Sequence, residues 1–242
     1  MLKNISLILV GAGLVWAAVA MSGEKPKGID AVRDALPGLK TEEIRETPVD
    51  GWYEIMLGSQ VAYISDDAKY VMRGDLIELA TNYNYTEARR NDARLDVLAQ
   101  LPDEDAIVFA PEKVKHSITV FTDVDCGYCR KLHSEMEQLN GLGVEVKYLF
   151  FPRAGPGSRS WNTATSVWCA DDRNGAMTTA KAGQAVQPKS CDTSIQTQYD
   201  MGRMVGLRGT PAIVTDTGEL ISGYLPANQL VGRLEQGKAA VR

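Results

Sequence analysis

The sequence predicts two domains, a small α+β domain and a larger α/β domain, joined by a linker helix. Three observations support this. Residues 24–80 combine one helical repeat with short β-like runs, residues 86–101 are helical and charged on most faces, and strands alternate with helices after residue 105. A chain of 242 residues can bury a core in each domain. The predicted boundaries are 1–20 for a signal peptide, 21–82 for the first domain, 83–103 for the linker and 104–242 for the second domain.

The first segment has the three-part layout of a secretory signal peptide. One positive charge at Lys3 precedes an uncharged apolar run from Ile5 to Val19, and Ala18 and Ala20 supply the small residues of a cleavage site. We therefore expect export, with cleavage after Ala20. An uncleaved anchor is the alternative, because the run is near the lower length limit of a membrane span.

The domain over residues 21–82 reads as a helix followed by an antiparallel sheet. IDAVRDAL has helical spacing, and the β-like runs EEIRETPV, GWYEIML, QVAYIS and YVMRGDLIEL follow it. So small a domain, with few large apolar side chains, buries too little surface to be stable alone. Pairing of an edge strand around Tyr70 to Gly74 with a second copy is one remedy, and docking on the rest of the same chain is another.

The linker segment, Thr86 to Leu101, has only a thin apolar seam. A helix that is polar nearly all round usually bridges domains through solvent, so an exposed helix closed by Pro102 is expected. The seam consists of Ala88, Leu95, Leu98 and Leu101.

The second domain alternates strand and helix, which is typical of an α/β layer architecture. HSITVF is the first strand, residues 126–140 form a helix, and VEVKYLFF is the second strand. Helices over about residues 158–170 and 194–205, strands at 212–215 and near 220–224, and a final helix from residue 226 complete the prediction.

The net charge and the cysteine content indicate which classes of function are unlikely for this chain. The formal net charge of −5 and the pI near 5.2 argue against a nucleic-acid partner, since such proteins usually carry a basic surface. An even number of cysteines in an exported chain favours disulfide chemistry over a zinc site. The four cysteines are Cys126, Cys129, Cys169 and Cys191.

CGYC, residues 126–129, admits several chemistries. Haem attachment requires His after the second cysteine, where this chain has Arg130. Zinc could use Cys126, Cys129 and His133, but this supplies at most part of a four-ligand site. A structural disulfide across so short a loop would bring little entropic benefit.

Redox chemistry explains more of the stretch. Cys126 is predicted at the first turn of a helix, where free N–H groups and the helix dipole favour a thiolate, so it is the expected nucleophile. Cys129 would resolve a mixed disulfide. Gly127 and Tyr128 would tune the dithiol–disulfide equilibrium, and Tyr128 is either an ordinary exposed aromatic or a contact for an unfolded client.

Thr210-Pro211 directly precedes a predicted strand, where a proline cannot donate to the ladder. From general frequencies alone a trans bond is the expectation, although an X-Pro bond can adopt the cis form at modest cost.

These features together resemble one family. CxxC at a strand-to-helix junction with a later Thr-Pro resembles the thioredoxin fold. FTDVDCGYCRKLH, YLFFPRAG, the pairs Trp168-Cys169 and Cys191-Asp192, GTPAIV and, in the first domain, VAYISDDAKYVMRG are similar to the DsbC family of periplasmic protein disulfide isomerases.

The resemblance implies a V-shaped homodimer in the periplasm, joined through cystatin-like N-terminal domains, with thioredoxin-like domains that carry a helical insertion at about residues 155–205. Cys126 would attack, Cys129 would be its partner, and Thr210 and a cis Pro211 would dock the client beside Gly127 and Tyr128. Cys169 and Cys191 would form a structural disulfide, worth about 3 kcal/mol in the entropic model for its loop length.

It also implies a function. The clients would be misfolded exported proteins with wrong disulfides, a membrane reductase of the DsbD type would restore the dithiol, and reductase and weak chaperone activity would accompany isomerisation. No metal or organic cofactor is expected. Arg130 departs from the His that relatives often carry there, which leaves the redox potential open. The alternatives are a monomeric thiol:disulfide oxidase and a non-catalytic periplasmic holdase or binding module.

Overall fold

A computed structural model describes residues 28–40, 43–57 and 60–240 of the chain. The predicted signal peptide and its cleavage site lie outside the described residues. Within those ranges no helix combines the length and the hydropathy that a membrane span requires.

The N-terminal domain packs one short helix on a four-stranded antiparallel sheet. Val32 of the helix is fully buried against the apolar sheet residues Ile44, Ile55, Ala62 and Ile64. The elements are α1 (Ile29–Ala35), β1 (Ile44–Glu46), β2 (Trp52–Leu57), β3 (Gln60–Ser65) and β4 (Val71–Met72), with the strands paired in that order. A hairpin of β5 (Ile77–Glu78) and β6 (Tyr83–Asn84) leads into the linker. The predicted α+β class of this domain is confirmed.

The linker helix α2 (Tyr85–Leu98) is less exposed than predicted. Its start is capped by Asn84, whose Oδ1 accepts a hydrogen bond from the Glu87 N–H at 2.9 Å. Arg89 and Arg94 are buried because their long side chains reach partners in the packed faces, Arg89 pairing with Glu54 at 3.1 Å. The expectation of a solvent-exposed helix is therefore wrong for this face.

Helix α2 contacts both domains. Ala93 packs against Tyr63 and its neighbours on the second face of the N-terminal sheet, while Val97 and Leu98 pack against the C-terminal domain. The helix ends three residues before the predicted end at Leu101, and Leu101 also packs on the C-terminal domain. Docking on the rest of the chain, one of the two ways proposed to stabilise the small N-terminal domain, thus covers one face of its sheet. It leaves the edge strand β4 available for the other, which is pairing with a second copy.

The C-terminal domain is built on a five-stranded sheet in the order β11-β10-β8-β9-β7. Strands β8 and β9 are parallel, and the other pairs are antiparallel. The strands are β7 (Ile107–Phe109), β8 (His116–Thr122), β9 (Val144–Phe150), β10 (Ala212–Thr215) and β11 (Leu220–Ser222). Strand β7 was not predicted; it is a short edge strand on β9.

The helices of this domain are α3 (Gly127–His133), α4 (Met136–Gly141), α5 (Arg159–Trp168), α6 (Arg173–Lys181), α7 (Ile195–Met204) and α8 (Ala227–Ala240). The single helix predicted over residues 126–140 is two helices, with Ser134 and Glu135 between them. Helix α6 lies within the predicted helical insertion, between the two helices that were located from their spacing. Asp172 caps it, its Oδ1 accepting from the Gly175 N–H at 2.9 Å.

Candidate active site

The two cysteines of CGYC lie where the central strand meets a helix. Strand β8 ends at Thr122, and Cys126 is the N-cap residue of α3, with an extended backbone. Cys129 lies one turn into the helix. Both are free and largely buried, with 4% of Cys126 and 1% of Cys129 exposed. The helix start directs unpaired backbone N–H groups toward the first sulfur, which favours its charged form.

The Thr210–Pro211 peptide bond lies opposite Cys126 and is cis, as the resemblance implies and in contrast to the expectation from general frequencies. The Cys126 Sγ lies 3.2 Å from the Thr210 carbonyl oxygen, to which the thiol donates. Pro211 is followed at once by strand β10, and its own carbonyl accepts a hydrogen bond from the Gly223 N–H at 2.9 Å. The sequence motifs CGYC and GTP therefore meet in space, although 84 positions separate the bonded residues.

The environment of Cys126 favours its thiolate. Burial acts to raise the pKa of this thiol, but hydrogen bonds with Thr210 and Cys129 and the charge of Arg153 outweigh it, and the pKa is lowered. The Thr210 carbonyl oxygen accepts a hydrogen bond from the Cys126 thiol but cannot donate one to the thiolate. The thiolate therefore requires a hydrogen-bond donor from another group. The Thr210 hydroxyl is buried and has no bonding partner within the described residues, and it can serve as that donor.

Cys129 has the opposite shift. Burial raises the pKa of Cys129 by more than the charge of Lys181 and hydrogen bonds with Asp123 and Thr122 lower it. The pKa values of the two sulfurs are thus shifted in opposite directions. These shifts favour the thiolate at Cys126 and the thiol at Cys129.

The two aspartates near the cysteine pair, Asp123 and Asp125, are each paired with arginines. The buried Asp123 carboxylate accepts from the Arg153 backbone N–H at 3.0 Å and from its Nε at 3.1 Å. Asp125 pairs with Arg159 at 3.1 Å and with Arg130 at 3.5 Å. Arg153 and Arg159 were not predicted as part of the site, because they enter it from a different part of the chain.

Behind the pair lies a layer of buried ionisable groups, of which the sequence singled out His133 alone, as a possible zinc ligand. His133 bonds to the Tyr148 hydroxyl through Nδ1 at 3.2 Å and to the Thr178 hydroxyl through Nε2 at 3.1 Å. Burial, with a smaller contribution from the charge of Lys181, lowers the pKa of His133 to about 4. Both ring nitrogens are thus committed to hydrogen bonds. Among the described residues no group of three or more possible metal ligands occurs.

The pair between the two cysteines presents an open surface. Gly127 has free space around its α-carbon, and Tyr128 is 67% exposed. The Tyr128 ring stacks on Tyr224, with centroids 6.2 Å apart and an interplanar angle of 18°. The hydroxyl of Tyr224 donates to Glu135. Tyr224 was not predicted, and it gives the site a second aromatic surface beside Cys126.

Cys169 and Cys191 form a disulfide with a Cα–Cα distance of 5.7 Å. The bond joins the end of α5 to the segment before α7, so it closes the part of the chain that contains α6. These cysteines are separate from the Cys126 and Cys129 pair.

Comparisons with known proteins agree with this architecture. Residues 20–87 match the family model of the disulfide bond isomerase protein N-terminal domain, and residues 103–238 match that of a thioredoxin-like domain. The thiol:disulfide interchange protein DsbC of Dickeya dadantii is 37% identical over 93% of this chain and 94% of its own length. The chain belongs to the DsbC family.

Other relatives extend the agreement across the DsbC family. The DsbC protein of Escherichia coli K12 is 38% identical over 90% of this chain and 92% of its own length. The crystal structure of a disulfide interchange protein from Neisseria gonorrhoeae superposes with a TM-score of 0.52 at 29% identity, over 57% of this chain and 98% of that one. The predicted fold, a DsbC N-terminal domain followed by a thioredoxin-like domain, is therefore confirmed.

Proposed function

We propose that this chain is a periplasmic protein disulfide isomerase that rearranges non-native disulfides in exported proteins. One observation carries the proposal: a cysteine of lowered pKa at a helix start faces a cis-proline loop, while its partner in CGYC is buried with a raised pKa. A reactive sulfur next to a backbone segment that can pair with an extended client is what disulfide exchange requires.

The reaction conserves electrons on sulfur. The Cys126 thiolate attacks one sulfur of a client disulfide, which forms a Cys126–client bond and releases the other client sulfur as a thiolate. That thiolate can attack elsewhere in the client, and a final attack returns Cys126. If rearrangement stalls, Cys129 attacks the Cys126 sulfur, the client cysteine leaves reduced, and the enzyme retains a Cys126–Cys129 disulfide.

The client is expected to dock between Thr210-Pro211 and the Gly127-Tyr128 turn. Pro211 has no N–H, and its carbonyl accepts from Gly223, so pairing falls to the Thr210 backbone, whose carbonyl is released when the Cys126 thiol loses its proton. Tyr128 and its stacked neighbour Tyr224 offer apolar faces to side chains that a misfolded client exposes. These contacts read no particular sequence, which suits a class of clients.

The oxidised pair must be reduced by an outside donor, and a membrane reductase of the DsbD type fits that role. No metal or organic cofactor takes part, because every electron moves between sulfur atoms. We assign Cys169–Cys191 as the structural disulfide. The predicted signal peptide supports export to the periplasm.

We further propose a homodimer formed through the N-terminal domains, with weak chaperone activity in the cleft between the two arms. Strand β4 lies at an edge of its sheet, and the chain from residue 70 to residue 83 exposes several apolar side chains. They are Tyr70, Val71, Met72, Ile77, Leu79 and Tyr83, with Leu79 95% exposed. A monomeric oxidase would have no use for such a surface.

Recovery of activity from scrambled ribonuclease tests the proposal. The mature chain should accelerate recovery, Cys126→Ala should abolish the acceleration, and Cys129→Ala should leave the client trapped on Cys126. Undiminished rescue by Cys126→Ala would leave only a holdase. Mass spectrometry after alkylation in cells should find Cys126 and Cys129 as thiols, whereas an oxidised pair would favour the oxidase.

A further inference from the structure

Lys181 is buried directly behind the cysteine pair. It is the last residue of α6, only 4% of it is exposed, and its Nζ donates to the Thr122 hydroxyl and, at 3.1 Å, to the Asp123 carbonyl. Both acceptors belong to the end of β8 and the loop that leads to Cys126. The insertion helix thus places an ammonium group beneath the catalytic turn.

This ammonium has no carboxylate partner. In the part of the chain that the structure describes, none of the ion pairs within 4.0 Å includes Lys181, and the Asp123 carboxylate is bonded to Arg153. A buried cation without a paired anion costs several kcal/mol of desolvation, more than an apolar side chain of similar length. Stability alone therefore does not explain a lysine at this position.

The groups that face Lys181 identify what its charge acts on. Burial lowers the pKa of Lys181 to about 8, against the charges of Cys129, Asp123 and Cys126, which raise it. Arg130 adds a like charge, His133 is neutral at pH 7 because its pKa is about 4, and the Tyr148 ring lies 5.7 Å from Nζ. Burial raises the pKa of Tyr148 well above its usual value. The cysteines are therefore the facing groups that change charge during the reaction.

A solvent-connected cavity opens behind this layer. Its volume is about 470 Å³, and Lys181, Arg130 and His133 are among the residues that line it between α3 and α6. Water in such a polar cavity can exchange protons with the buried groups.

We propose that Lys181 is a positioning residue for Cys129: its ammonium stabilises the Cys129 thiolate as that sulfur attacks the mixed disulfide, and so promotes release of the client in reduced form. This inference rests on the proposed exchange function. The Cys129 proton passes to water, the new Cys126–Cys129 bond forms, the Cys126–client bond breaks, and the client leaves as a thiolate. Lys181 remains protonated throughout, so no additional reactant is needed.

Lys181→Gln tests the role of the charge, because glutamine can still donate hydrogen bonds to Thr122 and Asp123 but is neutral. In a Cys126→Ser background Cys129 is the remaining free thiol, and its ionisation can be followed by ultraviolet thiolate absorbance. We expect the titration to move to higher pH by about one unit, which corresponds to about a tenfold loss of thiolate below the midpoint. Lys189→Gln removes an exposed charge from the same insertion, and should leave the curve unchanged.

Kinetics on the unmodified CGYC pair provide the second readout. An aromatic disulfide reagent reacts first with Cys126 and releases a second chromophore when Cys129 resolves the adduct. In Lys181→Gln the second phase at pH 7 should slow about tenfold, and the first phase should change much less. Lys181→Met is a second neutral variant that removes the two hydrogen bonds together with the charge. Its free energy of unfolding is measured first, so that the kinetics are compared on folded protein.

Coincident titration curves and unchanged second phases in folded Lys181→Gln and Lys181→Met would overturn the inference. They would leave the exchange function intact, provided that the parent chain still rescues scrambled ribonuclease. A parent chain that fails that assay would instead refute the proposed function, whatever the titration of Cys129 shows.

Discussion

At the scale of single residues, burial and hydrogen bonding together set the pKa of each sulfur and of the ionisable groups behind the pair. Cys126 lies at a helix start, where the nearby aspartates are paired with arginines. Behind it lies a buried layer in which the charged form of each group is costly, formed by Cys129, His133, Tyr148 and Lys181. Burial therefore raises the pKa of the acids in this layer and lowers that of the bases. At pH 7 His133 and Tyr148 in this layer are therefore neutral, while Lys181, with a pKa of about 8, keeps its charge.

His133 predicts a loss of stability in acid. Burial lowers its pKa from 6.5 to about 4, so the unfolded chain binds the proton first as pH falls. The stabilising effect of a neutral His133 is complete above pH 6.5 and is lost progressively toward pH 4, up to about 3 kcal/mol. Urea unfolding at a series of pH values should show this slope in the parent chain. In His133→Gln, which cannot titrate, the slope should be shallower, and equal slopes would contradict the assignment.

At the scale of elements, the insertion helix α6 shows what the sequence could and could not predict. The sequence predicted a strand-to-helix junction at CGYC and a strand directly after Thr210-Pro211, because both features depend on local patterns. Helix α6 was hidden because its stretch is rich in small and polar residues, although Ala176, Met177 and Ala180 have helical spacing and an aspartate precedes it. That Lys181 reaches Thr122 depends on packing between α6 and α3, which no local pattern records.

The disulfide between Cys169 and Cys191 should stabilise this element. The bond closes a loop with a sequence separation of 22 and so restricts the conformations of the unfolded chain. In the entropic model, loss of this restriction lowers the free energy of unfolding by about 3 kcal/mol. Paired replacement, Cys169→Ser with Cys191→Ser, should lower the free energy of unfolding by about that amount in urea, followed by tryptophan fluorescence. The Cys126 thiol should remain reactive toward alkylating reagents in the folded double variant. An unchanged urea midpoint would show that the loop is ordered without the bond.

At the scale of the whole molecule, α2 ties the two domains together through buried polar contacts. Arg89 pairs with Glu54 on the N-terminal sheet, and Arg94 donates through Nη1 to the Gly218 carbonyl at 3.2 Å. The charge pattern of α2 suggested a solvated bridge. The prediction of an exposed helix failed because arginine was counted as a polar, solvent-facing residue. Its aliphatic stem can pack like an apolar side chain when its guanidinium group pairs with buried acceptors.

Gly218 of the C-terminal domain lies close to the backbone of α2 at Asn91. Its φ is +80°, and a Cβ would lie 2.3 Å from the Asn91 carbonyl oxygen, so Gly218→Ala should push α2 away. We expect faster amide hydrogen exchange in α2 and a lower free energy of unfolding, by at least about 1 kcal/mol from backbone strain alone. Gly206→Ala has the same strain at φ +85° with open space around it, and separates strain from contact. Identical hydrogen exchange of α2 in both variants would show that the approach of Gly218 to Asn91 does not hold the helix in place.

The open edge of β4 predicts how two copies assemble. Val71 and Met72 are half exposed on a strand that, among the described residues, pairs with β3 alone, so a second copy can bury them and complete the backbone hydrogen bonds. Val71→Asp with Met72→Asp should place charges on this edge and convert a dimer to a monomer in sedimentation equilibrium. Val114→Asp, an equally exposed valine of the other domain, is the matched control and should stay dimeric. In the edge variant Cys126 should still be alkylated at the parental rate while rescue of scrambled ribonuclease falls, because exchange needs one site but retention of a client needs the cleft. A double variant that remains a dimer would locate the interface elsewhere.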